Sequence, residues 1–332
     1  MKGIKVWENV TAETFQNEIL PSNQPALLKG LVEHWPAVKA SRTQEGIIPY
    51  LKKFTANTHC QFFVGQPEIE GRFYYTDDLK GFNFKGRRAP FLSLLDELLR
   101  YQNDERPPSF YAGSLPSFDY LPGFSQDNNI SLVDKKVVPK IWIGNKTRIA
   151  AHYDIPRNIA CVVSGKRRFT LFPTDQVKNL YIGPLDFTPA GQSLSLVDFH
   201  KPDFVKYPLF KKALENALVA ELEAGDAIYI PSVWWHHVEG LDNINVLVNY
   251  WWRNEEAFMD SPLNSLIYSV LTIRDLPVAE RRAWKDIFDH YVFQVNGDPM
   301  EHLPMDVRGI FSTITAENAK IIKDFLLKAM HQ

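Results

Sequence analysis

The chain is expected to fold as a mainly β protein with flanking helices. Three features predict this. A long middle stretch consists of short extended runs broken by turn signals. The chain before it alternates short helical and extended segments, and the chain after Arg253 shifts to helical apolar spacing. These shifts divide the sequence into residues 1–105, 106–253 and 254–332, with Arg106-Pro107-Pro108 marking the first boundary.

In the first region, Thr11 to Leu20 reads as a helix that Pro21 stops. Ala26-Leu27-Leu28-Lys29-Gly30 reads as a short buried strand. Phe91 to Tyr101 carries Leu92, Leu95, Leu98 and Leu99 as one helical face. The basic run Lys85-Gly86-Arg87-Arg88 is too short for a nucleic-acid surface and is expected in a solvated loop.

In the middle region the extended runs are Val137 to Ile143, Ile159 to Val163, Arg168 to Phe172, Ala227 to Ile230 and Val246 to Trp251. Ser164-Gly165 and Glu223-Ala224-Gly225-Asp226 are turn signals between them. Many short strands joined by such turns suggest a sandwich or barrel, and a jelly roll is one candidate.

Beyond Arg253, Ser261-Pro262 has the look of an N-cap followed by Pro at the first helical position. Leu263, Leu266, Ile267, Val270 and Leu271 then share a face. A second helix, Val278 to Tyr291, presents Trp284, Ile287, Phe288 and Tyr291, and a third from Thr315 presents Ile321, Ile322, Phe325, Leu326 and Ala329. These faces must pack on the outside of the β fold or against another subunit. The second is the expectation, giving a homodimer.

The 332 residues are 45% hydrophobic and 23% charged, with a net charge of −2, which is ordinary for a globular protein with a sizeable core. Nothing in this balance calls for nucleic acid or a membrane surface as a partner. No run is apolar enough to span a bilayer, and the first residues lack a signal core. Two cysteines, Cys60 and Cys161, make no disulfide framework, so a reducing cytoplasm is expected.

The chemistry-bearing residues are His152-Tyr153-Asp154 and, far downstream, Pro231-Ser232-Val233-Trp234-Trp235-His236-His237. On a strand, His152 and Asp154 share a face. A second imidazole from a distant strand completes two His and one carboxylate on one side of a metal, the set that leaves positions open in non-haem Fe(II) oxygenases. Alternation sends His236 and His237 to opposite faces without saying which is the ligand. The other histidines, His34, His59, His200, His290, His302 and His331, read as structural or solvent-facing.

The motifs Gly165-Lys166-Arg167-Arg168 into Leu171-Phe172-Pro173, Gly225-Asp226-Ala227-Ile228-Tyr229-Ile230-Pro231, Trp234-Trp235-His236-His237 and Asn249-Tyr250-Trp251 follow His152-Tyr153-Asp154 in order. With Leu28-Lys29-Gly30 and His34-Trp35-Pro36-Ala37, the sequence resembles the Jumonji-C or cupin-like 2-oxoglutarate oxygenases. It is most similar to the hydroxylase branch that includes the asparaginyl hydroxylase of hypoxia-inducible factor, and to bacterial cupin-like proteins of that type.

The resemblance implies a double-stranded β-helix with Fe(II) held by His152, Asp154 and His236, the last selected by the family's Pro-x-x-Trp-x-His pattern. It implies 2-oxoglutarate as co-substrate, dioxygen as oxidant, and a peptide or small-molecule substrate to be hydroxylated. Arg167 takes the position of the basic residue that holds the far carboxylate, where this branch commonly has Lys; a guanidinium can hold a carboxylate through two hydrogen bonds. Ile149 stands where the family often has Thr or Ser. Tyr111, Asn158 and Asn249 match co-substrate or iron-proximal positions. Tyr153 and Trp251 are candidate pocket residues, and Tyr181 to Pro208 is a candidate lid. The competing readings are a non-catalytic cupin-like ligand-binding module, a lysine demethylase of the same superfamily, and a Zn or Mn hydrolase or isomerase.

Overall fold

The computed structural model describes residues 2–330 and divides into two compact units, residues 2–253 and 254–330. In the first unit fifteen strands form two sheets. In chain order they are β1 (Lys2–Gly3), β2 (Lys5–Glu8), β3 (Ala26–Lys29), β4 (His59–Gly65), β5 (Arg72–Phe73), β6 (Phe84–Pro90), β7 (Ser109–Pro116), β8 (Pro139–Gly144), β9 (Arg148–Tyr153), β10 (Arg157–Ser164), β11 (Arg167–Phe172), β12 (Leu218–Leu222), β13 (Ala227–Ile230), β14 (Trp235–Gly240) and β15 (Asn245–Trp252).

The last eight strands make the jelly roll. β13-β10-β15-β8 lie in a nine-stranded sheet, and β12-β11-β14-β9 lie in a six-stranded sheet, all antiparallel within each set. The strands from the first hundred residues extend these sheets: β2 and β3 add to one edge of the larger sheet, β4 and β6 to the other, and β5 to the smaller sheet.

Sequence patterning follows burial. β10 and β15 are apolar almost without break because both faces of the larger sheet are covered. One face meets Ala160, Val162 and Leu247 with Phe169 and Leu171 of the smaller sheet. The other packs Cys161, Tyr229 and Val248 under Phe15, Ile19, Trp35 and Leu51. The outer face of the smaller sheet is covered by residues 173–217, through Phe172, Leu180, Phe210 and Trp235.

Two turns were legible from sequence. Gly165 joins β10 to β11 at φ +75°, where a Cβ would lie 2.4 Å from Asn245 Oδ1, so only glycine fits. At the turn around Gly225, buried Asp226 accepts from Glu223 N–H at 3.1 Å and Gly30 N–H at 3.0 Å and pairs with Lys29 Nζ at 2.9 Å, stapling the turn to β3.

Three local expectations are corrected. Pro21 does not stop the first helix. A π stretch over Phe15–Ile19, closed by Leu20 N–H to Phe15 O, opens the turn that the proline ring would otherwise crowd. The helix then carries through to Ser22 and ends at left-handed Asn23. On the helix Phe91–Arg100 the buried face is Phe91, Leu94, Leu95 and Leu98, and Leu92 is exposed. Lys85 to Arg88 is solvated but lies in the edge strand β6, not a loop. Cys60 and Cys161 are buried free thiols.

The second unit contains helices Pro262–Thr272, Val278–Tyr291 and Ala316–Met330. Ser261 is the N-cap, its side chain accepting from Leu263 N–H. Leu266, Ile267, Leu271, Trp284, Ile287 and Phe325 on these helices are exposed. Among the described residues no helix is long and apolar enough to cross a membrane.

Candidate metal centre and co-substrate pocket

β9 and β14 are neighbours with His152 opposite His236. The two imidazole centroids are 4.3 Å apart, and His236 Nε2 is 3.5 Å from Asp154 Oδ2. One ligand atom from each of His152, Asp154 and His236 lies within 4.8 Å of the other two, and among the described residues this is the one such His, Cys, Asp or Glu group.

Both rings are oriented through the backbone. His152 Nδ1 is 2.9 Å from Ala150 O, and His236 Nδ1 is 3.0 Å from Trp234 O. A carbonyl only accepts, so each Nδ1 carries the proton and each Nε2 keeps its lone pair. Such pinning of the distal nitrogen is how metal-binding imidazoles are commonly held. The residues therefore fit a divalent cation that takes two nitrogens and a carboxylate oxygen and leaves other positions open.

The turn that brings the elements together is strained. Val233, a β-branched residue, sits at φ +57°, and its N–H donates to the Asp154 carbonyl at 2.9 Å. Ser232 Oγ donates to Ile155 O at 2.5 Å, so the turn before His236 is tied to the segment carrying Asp154.

Charges agree with this geometry. Burial most strongly, and then His236, pushes the His152 pKa down to about 4 against the pull of Asp154. Burial opposes ionisation of Asp154, but the neighbouring His236, His152 and Lys140 outweigh it and hold the carboxyl below its usual range. At neutral pH His152 is a neutral imidazole and Asp154 a carboxylate, the protonation states that bind metal.

A pH prediction follows for the metal-free protein. An unfolded His titrates near 6.5 and folded His152 near 4, so between those values the unfolded state binds more protons. Stability therefore rises with pH across this window and is lost as pH falls from about 6.5 toward 4. His237, pushed down to about 3 by burial and then by the neighbouring His200, His152 and Arg148, acts in the same direction. The urea midpoint of chelator-treated protein is expected to drop between pH 7 and pH 5; an unchanged midpoint refutes this assignment of neutral buried imidazoles.

A cavity between the sheets is lined by all three candidate ligands together with Tyr111, Ile149, Asn158, Arg167, Asn249 and Trp251. Arg167 is buried, and its Nε has no hydrogen-bond partner among the described residues. Burial pulls its pKa down to about 10, opposed by Tyr111, and burial pushes the Tyr111 phenol up, opposed by Arg167. The Asn158 Oδ1 acceptor is also unpartnered, whereas Asn249 Oδ1 accepts from Trp142 Nε1 at 2.8 Å.

Ile149 reaches the cavity only because of a bulge. Val238 pairs with Ile149 and His236 with His152, so one residue of β14 opposes two of β9. Alternation alone would turn Ile149 and His152 to opposite faces. The same alternation turns Tyr153 away: it packs edge-on against Trp235, centroids 4.9 Å apart, among the residues on the outer face. Tyr153 therefore lies outside the cavity for which it was a candidate, while Trp251 lines it.

His237 likewise faces outward, stacked on Phe199 at 4.3 Å, its Nε2 3.9 Å from Glu239 Oε2 and neither ring nitrogen hydrogen-bonded among the described residues. His200, expected on the surface, is half-exposed, and its Nε2 contacts the buried Glu239 carboxylate. His34, His59 and His302 are exposed, His290 is half-buried, and His331 lies outside the described residues.

The cavity opens into a cleft walled by Phe63, Phe73, Phe84 and Tyr111 and by Pro189, Ala190, Gln192 and Leu194. The last four come from the segment Tyr181 to Pro208, whose Phe187 stacks on Phe82 at 4.8 Å and accepts from the Tyr75 hydroxyl at 2.6 Å. Gln192 Nε2 approaches Asp154 Oδ1 at 3.4 Å. Gln192, Trp142 and Lys140 were not singled out from sequence. Only Lys140 carried a signal, being a cation inside an otherwise apolar run and in phase with Trp142.

A two-sheet jelly roll with this interior site defines a cupin-type domain of the Jumonji-C kind. The chain belongs to the cupin-like domain family, whose model matches residues 12–258. It is 26% identical over 277 residues to lysine-specific demethylase JMJ31 of Arabidopsis thaliana, covering 76% of this chain and 50% of that protein. It is 25% identical over 269 residues to human tRNA wybutosine-synthesizing protein 5, covering 74% and 76%. It is 26% identical over 275 residues to the human bifunctional peptidase and (3S)-lysyl hydroxylase JMJD7, covering 73% and 81%. The chain thus spans half the length of the Arabidopsis relative and most of the length of the other two.

Proposed function

We propose that the protein is an Fe(II)- and 2-oxoglutarate-dependent oxygenase that hydroxylates a C–H bond. The observation that carries this reading is the pairing of two features in one cavity. His152, Asp154 and His236 converge with both Nε2 lone pairs free of backbone, and a buried guanidinium with an unpaired donor, Arg167, lines the same space. The three ligands would hold Fe(II), and Arg167, with the Tyr111 hydroxyl beside it, would hold the far carboxylate of 2-oxoglutarate. With both bound, the site supplies the chemistry in which 2-oxoglutarate, dioxygen and R–H become succinate, carbon dioxide and R–OH.

The protein's own part is positional. The backbone carbonyls of Ala150 and Trp234 keep the imidazole lone pairs aimed inward. The aromatic walls of the cleft limit water around the reacting carbon. Ile149 gives the co-substrate no hydroxyl, leaving the Tyr111 phenol and the Asn158 amide as the polar groups beside Arg167.

The test is anaerobic addition of Fe(II) and 2-oxoglutarate to the full chain, read by the visible charge-transfer absorption of the chelate, then exposure to dioxygen with succinate assayed. A band followed by succinate is expected. No band in the wild-type protein favours the reading as a non-catalytic ligand-binding module.

We also propose a homodimer built on the helices of residues 254–330. Its support is the row of exposed apolar side chains, with Leu271 79%, Ile267 53% and Trp284 42% exposed, a density that soluble chains usually cover with a partner. Light scattering is expected to give twice the chain mass for wild type and a monomer for Ile267→Asp/Leu271→Asp. A folded double variant that stays dimeric refutes it.

A further inference from the structure

We propose that Lys140, Ser114 and Trp251 form a subsite for a carboxylate carried by the substrate, so that the cleft takes an apolar or aromatic acid rather than a cationic side chain. The inference rests on the oxygenase reading for which bond is oxidised, but the subsite itself stands on residues outside the metal set.

The register places Lys140 on the inner face. It pairs with Asn249 across β8 and β15, two residues from Trp142, and both Asn249 and Trp142 line the cavity. Lys140 Nζ lies 4.6 Å from the centre of the Trp251 ring and 3.1 Å from Ser114 Oγ. Both of those residues line the cleft. The ammonium is part-buried, yet it makes no ion pair among the described residues. The Trp251 indole N–H beneath it is buried and also without a partner. These two hydrogen-bond donors, one on a residue that lines the cleft and one stacked over it, have no carboxylate within hydrogen-bond or ion-pair reach among the described residues and ask for an acceptor from outside.

The backbone is shaped to present these groups. In β7 the register slips between Ala112 and Leu115, leaving Gly113 and Ser114 opposite Trp142 alone. Ser114 sits at φ +57°, a conformation a non-glycine residue adopts at a cost. A Cβ on Gly113 would lie 2.3 Å from Trp142 Cε3, so glycine there lets the indole pass. The bulge turns the Ser114 hydroxyl to the ammonium.

The remaining walls fix the rest of the substrate. Phe63, Phe73, Phe84 and Tyr111 are aromatic, and Asp154, which belongs to the metal set, is the one acidic residue lining the cleft among the described residues. A lysyl or methyl-lysyl ammonium entering here would meet Lys140, with no carboxylate but Asp154 of the metal set to receive it, and like charges brought together select against such a partner.

The test titrates 3-phenylpropionate and its cationic counterpart 3-phenylpropylamine into the full chain, with and without Mn(II) and 2-oxoglutarate, followed by ligand-observed NMR. The carboxylate is expected to bind about tenfold or more tighter than the amine, the size of one charge-assisted hydrogen bond. Lys140→Met should remove that preference, Lys140→Arg should keep it, and Ser114→Ala should weaken it. The affinity for 2-oxoglutarate should stay within about twofold of wild type in each variant, which also shows that they fold.

An amine that binds as well as the carboxylate, absence of binding by both probes, or a carboxylate indifferent to Lys140→Met overturns the proposal. So does a loss of 2-oxoglutarate affinity in Lys140→Met, which would make this lysine a co-substrate anchor instead. Failure of wild type to bind Mn(II) with 2-oxoglutarate sinks the oxygenase reading, while the probe titration without them still reads the subsite.

Discussion

His236→Ala is expected to lose the Fe(II)–2-oxoglutarate absorption band and more than about 100-fold of 2-oxoglutarate turnover, while His237→Ala keeps both. Outer groups that merely orient a metal ligand typically cost about 10- to 100-fold when removed, so loss of a ligand itself should cost more. The contrast follows from alternation along β14. His236 faces Asp154 across 3.5 Å, and the neighbouring ring stacks outward on Phe199. His237→Ala should instead appear as a loss of about 1–3 kcal/mol of stability, because its ring stacks on Phe199 outside the metal cavity. His152→Ala should behave like His236→Ala. Equal damage from the two adjacent histidines would show that the strand carries both in the site and that the ligand assignment fails.

Arg167→Met is expected to give a protein that is more stable without ligands and nearly unable to bind 2-oxoglutarate. The guanidinium is buried to 3% exposure, and its Nε has no partner among the described residues. A buried charge without a counter-ion is costly, and a hydrophobic residue of similar volume relieves that cost, here by about 1–3 kcal/mol. Removing one member of a buried, hydrogen-bonded charge pair weakens binding by about 2–5 kcal/mol, roughly 30-fold or more in Kd. Urea denaturation of chelator-treated protein reads the first effect, and calorimetric titration of 2-oxoglutarate into the Mn(II) form reads the second. Arg167→Lys should retain part of the affinity, since an ammonium supplies the charge but not the planar fork. Unchanged 2-oxoglutarate binding in Arg167→Met would remove Arg167 as the anchor.

Both predictions depend on facing, and the sequence was uneven on that point. The split of β10 and β15 into continuous apolar runs was readable because those strands are covered on two sides. The turns at Gly165 and Gly225 were readable because each needs a residue free to take positive φ. Leu92 was misread because helix periodicity alone leaves the phase of a ten-residue helix loose; Leu94 packs inward in its place. Pro21 was misread because a π turn upstream is a tertiary accommodation with no sequence mark.

Sequence by itself determined the class of fold and the chemistry-bearing residue types. The order of motifs from His152 to Trp251 brought a family pattern with it, and alternation required one of His236 and His237 to face inward. Tertiary structure decided which groups share the cavity. The bulge at Ala150 and Ala151 brings Ile149 into line with His152, and the bulge at Gly113 and Ser114 sets a hydroxyl against Lys140. The physical reason is that a bulge shifts the two-residue phase of a strand by one, and that shift depends on the partner strand rather than on the residues that carry it.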